Sequence, residues 1–541
     1  MAGQALPGAV AQLDVIRSGY TFDAAALELG AALDGESAHA DAPVRVPLAT
    51  LNRHGLVAGA TGTGKTKTLQ AMAEQLSAQS VPVFLADIKG DLSGLAEPGA
   101  DNPKVAERAA SVGQDWTPAA NPVEFLSLGG QGKGVPIRAT VTSFGPTLLS
   151  KVLGLNATQE SSLGLVFHYA DSHGLALLDL KDLREVIMFL TSDEGKDELK
   201  AIGGLSKQTA GVILRELTTF ANQGADVFFG EPEFDTSELL RTAQDGRGII
   251  SCLELADVQD RPQLFSTFLM WLLADLFQDL PEVGDADKPK LVFFFDEAHL
   301  LFNDASKEFL DSIEQTVRLI RSKGVGIFFV TQSPKDVPAG VLAQLGNRVQ
   351  HALRAFTPDD AKALKAAART YPKSSYDLEE LLTRLGTGEA VVTVLSENGA
   401  PTPVAWTRMR APQSLMSPAS AATVDGVISA SPLNAKYAEA VDRESAYELL
   451  RARMEPAVEQ APADQTGSEG RPQGLPDALP RQDAPREAPS ESRGSDKNDG
   501  GFLGSVMDNP AVRSMMRSAG TALGREITRS IFGTSRRRRR R

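Results

Sequence analysis

The chain has 541 residues, is 42% apolar, carries a single cysteine and has a formal net charge of −14. That length allows two or three compact units of roughly 100–200 residues each. The lone Cys252 excludes an internal disulfide framework and points to a reducing, cytoplasmic setting, while the acidic balance excludes a nucleic-acid footprint spread over the whole surface.

No basic n-region followed by a long apolar core opens the sequence. No apolar run reaches the ~20 residues that crossing a bilayer requires. The nearest, Phe268–Phe277, is short, contains Asp275 and reads as a buried helix.

In chain order, residues 1–42 are Ala-rich and polar and read as a short lead-in. Two strand-like stretches follow, VRVPLATL from Val44 and HGLVAGA from His54. A glycine-rich turn then leads into a helix from Lys65 to about Gln79, and an apolar strand Val83–Ala86 ends at Asp87. Strand–loop–helix–strand is a unit of a parallel α/β sheet.

The rhythm breaks over 92–243, where helical spacing dominates at Thr147–Leu153, Gln159–Ser172, Lys181–Leu190 and Lys207–Ala221. This segment is predicted to be a largely helical insertion. Strands and helices alternate again from Gly248, and a hairpin of Glu389–Leu395 with Val404–Arg408 closes the pattern. The predicted core is therefore 43–91 with 244–412.

Helical sequence over 413–455 forms an extension. Residues 456–500, rich in Pro, Gly, Ser and acids, hold too little apolar surface to offset ordering entropy and are expected to be disordered. Residues 501–541 read as an amphipathic segment ending in Arg536–Arg541. That basic tail suits nucleic acid or other acidic surfaces.

The strongest chemical signal is Gly59-Ala60-Thr61-Gly62-Thr63-Gly64-Lys65-Thr66, which fits G-x-x-x-x-G-K-[ST] throughout. Glycines let the loop fold tightly with its N–H groups turned inward toward phosphate oxygens. The helix that starts near Lys65 adds its positive end. Lys65 is predicted to neutralise β/γ-phosphate charge of ATP, and Thr66 to offer a hydroxyl to Mg²⁺.

A second signal is Leu291–Phe295, five large apolar residues ending in Asp296 and Glu297. Such a run suits a parallel strand buried on both faces. Its acids would emerge at the edge where ligands bind in such sheets. Asp296 is predicted to hold the Mg²⁺ shell and Glu297 to act as general base on the attacking water.

Gln332, after the apolar strand Ile327–Val330, is placed to orient that water. Arg321, at a helix end before Gly324, is the candidate arginine finger acting on a neighbouring subunit, with Arg318, Arg348 and Arg354 as further candidates. Arg318 alternatively pairs with Glu314 four residues earlier. Asp87 is expected near the metal's water shell or capping its own turn. His299 forms no metal motif.

GATGTGKT, ADIKGDL, LVFFFDEAHLLF, RSKGVGIFFVTQSP and GNRVQHALRAF, in this order, resemble the ATPase core of the HerA/FtsK superfamily, in the bacterial YjgR-type branch of HerA-like helicase C-terminal domain proteins. The resemblance covers about residues 40–412 and implies a RecA-like P-loop sheet with an extra strand between the two Walker strands. It also implies homo-oligomeric, usually hexameric, rings with active sites between subunits, and in many members the pumping of duplex DNA.

HerA's β-barrel, which precedes its motor, has only about 45 residues to occupy here, so it is expected to be absent or vestigial. The helical insertion becomes the candidate surface for a protein partner. A motor acting on protein, or a slow nucleotide-gated scaffold, are the competing readings.

Overall fold

The computed structural model describes residues 7–284, 286–303, 305 and 307–454. The expected disordered linker and the amphipathic, arginine-ended segment lie outside the described residues.

Twelve strands form one sheet: β1 (Ala26–Asp34), β2 (Ser37–Pro47), β3 (Gly55–Ala58), β4 (Val83–Asp87), β5 (Val123–Leu128), β6 (Val135–Ile137), β7 (Ile250–Glu254), β8 (Leu291–Phe295), β9 (Val325–Thr331), β10 (Asn347–His351), β11 (Glu389–Thr393) and β12 (Ala405–Met409). Their order is β2-β1-β12-β11-β10-β3-β9-β8-β4-β7-β5-β6. From β10 to β6 every neighbouring pair is parallel, while β11, β12, β1 and β2 continue the sheet antiparallel. β9 lies between β3 and β8, the extra strand that the resemblance implies.

The central strands are apolar because both faces are covered. Along β8, Leu291, Phe293 and Phe295 join the core on one side, and Val292 and Phe294 join the core on the other. This is the period-2 alternation of a strand with no wet face. Phe294 stacks near Phe328 and Phe295 near Phe329, at centroid distances of 5.2 and 5.6 Å. Cys252, on β7, is 1% exposed, and burial raises its thiol pKa well above normal. It is a packing residue.

Two readings of the chain's organisation need correction. Residues 1–42 supply β1 and most of β2, an antiparallel ribbon that extends the sheet beyond β12 and is no mere lead-in. ALELGAALD is poor in β-branched and aromatic residues, so local propensity does not announce a strand; pairing on both edges makes it one. At Gly30 the backbone of β12 comes so close that a Cβ would sit 2.0 Å from the Arg408 carbonyl oxygen.

Within 92–243, β5 and β6 belong to the sheet, so this largely helical stretch is not an insertion apart from it. The helices between, Val141–Val152, Ala157–Ser172, Leu180–Thr191 and Lys207–Asn222, share one continuous apolar core with β8 and with helix Pro262–Asp279. They cover one face of the sheet. The expected apolar helix around Phe268 is that buried helix Pro262–Asp279, and among the described residues no helix is long and apolar enough to cross a membrane.

After β12 the chain passes behind the helix Lys65–Ala78. Glu74 accepts the N–H groups of Gln413 and Ser414 at 2.8 and 2.9 Å, Gln70 donates to the Leu415 carbonyl at 2.8 Å, and Lys67 donates to that of Met416. Three short helices, Ala421–Ala430, Pro432–Tyr437 and Ala446–Met454, follow this strap.

Candidate functional site

The glycine loop leaves β3 at the C-terminal edge of the sheet. Gly59 N–H donates to the Thr331 carbonyl (3.2 Å) and Ala60 N–H to that of Ala352 (2.8 Å), so the loop is anchored to the ends of the strands on either side. Gly62 and Gly64 have φ of 77° and 114°, values that side chains with a Cβ rarely adopt. Gly388 packs on the loop and donates its N–H to the Thr63 carbonyl at 2.8 Å. A Cβ on Gly64 would meet the Gly388 backbone at 3.1 Å. His351, wholly buried behind the loop, joins Thr68 Oγ1 (2.9 Å) to the Glu389 carbonyl (2.9 Å); burial lowers its pKa to about 4, so it stays neutral.

Lys65 is 7% exposed and folds onto its own loop, donating to the carbonyls of Gly59 (2.6 Å) and Ala60 (3.2 Å). Burial lowers its pKa, against which the nearby carboxylates of Glu297 and Asp296 act. Thr66 stands half-buried at the first turn of the helix, and Thr61 lies exposed at the tip of the loop.

The register across β8, β9 and β3 pairs Phe295 with Phe329 and Phe329 with Leu56. Asp296 and Glu297 therefore emerge level with the end of β3, two strand spacings of ~4.8 Å away. Two segments more than 200 residues apart in the chain meet at one edge.

Asp296 is 3% exposed, and its Oδ2 is buried without a hydrogen-bond partner. Burial, with the negative charge of Glu297, raises its pKa to about 7. An orphaned carboxylate oxygen beside a phosphate loop suits the water shell of a magnesium ion. Glu297 adopts φ 45°, an uncommon conformation for a residue with a Cβ. Its Oε1 pairs with Lys89, and its Oε2 lies 3.2 Å from His299 Nδ1. Burial acts to raise the Glu297 pKa, but the Lys89 hydrogen bond and charge outweigh it and leave it lowered.

Asp87, wholly buried at the end of β4, accepts the N–H groups of Lys89, Gly90 and Leu92 at 3.2, 2.8 and 2.8 Å. Burial raises its pKa to about 6. It shapes its own turn, and one oxygen each from Asp87, Asp91 and Asp296 lie within 4.8 Å of one another. Gln332 is exposed and lines an open cleft of about 370 Å³ with Ala60, His299, Asn303 and Arg354.

Arg321 lies elsewhere. It precedes β9, whose seven residues at ~3.3 Å each put it at the opposite edge of the sheet, away from its own phosphate loop. Arg318 is paired with Glu314 at 2.6 Å.

Three residues of the site gave no clear signal in the sequence. Lys89 sits on the turn after β4. Arg108, from helix Pro103–Ser111, donates to the carbonyls of Thr387 (2.9 Å) and Gly388 (3.0 Å). Gly388 closes against the loop. Only Lys89 was discoverable, as a lysine one turn past a strand that ends at the same sheet edge as Asp296.

A parallel sheet with a glycine loop after one strand and an acidic pair two strands away defines a RecA-like P-loop fold. A family model described as Helicase HerA-like C-terminal matches residues 34–541. The chain belongs to that family.

It is 23% identical over 366 residues to the DNA double-strand break repair helicase HerA of Sulfurisphaera tokodaii, covering 66% of each chain. It is 22% identical over 355 residues to that of Sulfolobus acidocaldarius, covering 64% of each. The match thus spans about two thirds of the length of these curated relatives. Among solved structures it is similar to the bacterial conjugative coupling protein TrwBdeltaN70, with 14% identity and a TM-score of 0.49 over 75% of this chain and 94% of that one.

Proposed function

We propose that this protein hydrolyses ATP and acts as a ring-forming motor of the HerA/FtsK type on duplex DNA. The observation that carries the ATPase reading is the convergence of Lys65 with Asp296 and Glu297 at one sheet edge, where Asp296 keeps a buried oxygen without a partner. Lys65 releases the carbonyls of Gly59 and Ala60 and takes β/γ-phosphate oxygens. The loop N–H groups beyond Gly59 and Ala60, which anchor it to the neighbouring strands, hold the remaining phosphate charge.

Thr66 and Asp296 are the residues that would hold magnesium, which would supply neutralisation of the phosphate charge. Glu297 accepts a proton from water as the water oxygen bonds to the γ-phosphorus. The bond to the β–γ bridging oxygen breaks and that oxygen leaves with ADP. Gln332 orients the water from the exposed side. Arg321, remote from its own loop, serves the site of the next subunit, which makes the active unit an oligomer, a hexamer by family resemblance.

DNA as the polymer rests on the HerA relatives. The helices of 141–222 offer a face for a protein partner. The test is the ATPase rate of the purified chain with and without duplex DNA, across a salt series, together with native mass. The expected result is an oligomer whose turnover rises with DNA, with an apparent affinity that falls steeply as salt increases. Stimulation by no DNA at any salt would refute DNA as substrate.

A further inference from the structure

One oxygen of the carboxylate assigned to take a proton from water is already held. Glu297 Oε1 is bound by Lys89, while Oε2, buried without a hydrogen-bond partner, lies 3.2 Å from His299 Nδ1. While Lys89 holds it, Oε1 accepts no hydrogen bond from a water in line with a γ-phosphate.

The contact is built in. Asp87 takes three backbone N–H groups of its own turn, which fixes the Lys89 Cα beside the end of β8. Glu297 stands at φ 45°, so its side chain leaves the backbone in a set direction. The two partners differ in surroundings: the Glu297 side chain is 6% exposed, that of Lys89 44%. The carboxylate is fixed, and the lysine has room to swing.

The Lys89 charge also acts on the buried Lys65, and both lysines act on Glu297. The two ammonium groups therefore lie near the carboxylate that the proposed reaction uses.

We propose that Lys89 is a positioning residue that reads the presence of the γ-phosphate. Without it, Lys89 caps Glu297. When ATP seats, Lys89 moves to a γ-phosphate oxygen, and Glu297 Oε1 is released to hold the attacking water. ADP lacks that oxygen and leaves the cap in place. The inference rests on the ATPase reading above and adds to it a discrimination between the two nucleotides.

The test uses the full chain and compares the parent with Lys89→Met and Lys89→Arg. Affinities for magnesium ADP and for a magnesium-bound non-hydrolysable ATP analogue are measured by calorimetry, with kcat and KM for ATP alongside. Lys89→Met is expected to weaken the analogue about tenfold, the worth of one charge-assisted hydrogen bond, while ADP affinity changes less than about twofold on the same reasoning. Its kcat should fall, and Lys89→Arg should recover most of the preference for the triphosphate.

Equal weakening of both nucleotides would make Lys89 structural and overturn the proposal. So would a rise in kcat with the preference unchanged, since Lys89 would then be a brake alone. A parent that binds neither nucleotide defeats the ATPase reading itself. A parent that turns over ATP while Lys89→Met keeps the full triphosphate preference defeats only the role of Lys89.

Discussion

Replacing Glu297 by Gln separates chemistry from architecture. The amide matches the carboxylate in size but takes up no proton. General-base catalysis contributes ~10²–10⁴ in rate, so at ~1.4 kcal/mol per decade the barrier should rise by ~3–5 kcal/mol. The fold should barely register the change. The lost ion pair joins a buried carboxylate to a lysine nearly half in water, and Lys89 recovers much of its solvation once released. With one partner this exposed, the loss should be ~1 kcal/mol or less.

Nucleotide binding should survive, because Lys65 and the loop N–H groups are untouched. A saturating nucleotide at ~100 times Kd should still stabilise the variant by ~2.7 kcal/mol. The assay is steady-state phosphate release, paired with thermal melts with and without magnesium ATP. Turnover within about threefold of the parent, well inside the loss expected for a general base, would refute the role assigned to Glu297. A melt that loses its response to nucleotide would show that the residue serves binding.

Two further outcomes follow from the same geometry. Asp296 has a folded pKa of about 7, raised by burial and by Glu297, above the ~3.9 of an unfolded chain. The folded state therefore holds the proton more tightly, and without nucleotide this group's contribution to stability is lost as pH rises from about 4 to 7. Asp296→Asn should melt higher than the parent at pH 8 and closer to it at pH 5; a constant gap across that range would argue against the assignment. Arg321→Ala and Glu297→Gln should each be inactive alone, yet mixing the two should restore part of the activity, because some interfaces then pair an intact Glu297 with an intact Arg321. Strict additivity of two dead proteins in phosphate release would remove Arg321 from the neighbouring site.

What the sequence disclosed and what it hid divide along physical lines. Leu291–Phe295 was legible because a central strand has no polar face, and the glycine loop because its backbone demands glycine at set positions. The helix Pro358–Ala368 carries its own start signals, since Thr357 caps it through the Asp360 N–H at 3.1 Å and Pro358 opens it.

β1 was hidden because small residues carry little strand preference and its order comes from partners, among them β12, several hundred residues away. β5 was hidden by its Pro-rich approach and by helical neighbours on both sides. Arg108 and Gly388 reach the loop only through tertiary packing, so no spacing in the chain connects them. Arg321 shows the reverse: residue type suggested the chemistry, and topology then limited where it can act.

The strap over residues 413–416 gives the phosphate-loop helix a second attachment. Lys67, Gln70 and Glu74 grip the backbone of a segment that arrives from the far side of the sheet. A tilt of that helix when phosphate docks at its tip must drag this segment along or break four bonds. Movement of the loop therefore has a ready lever, running rearward through the strap toward the helices from Ala421 to Met454.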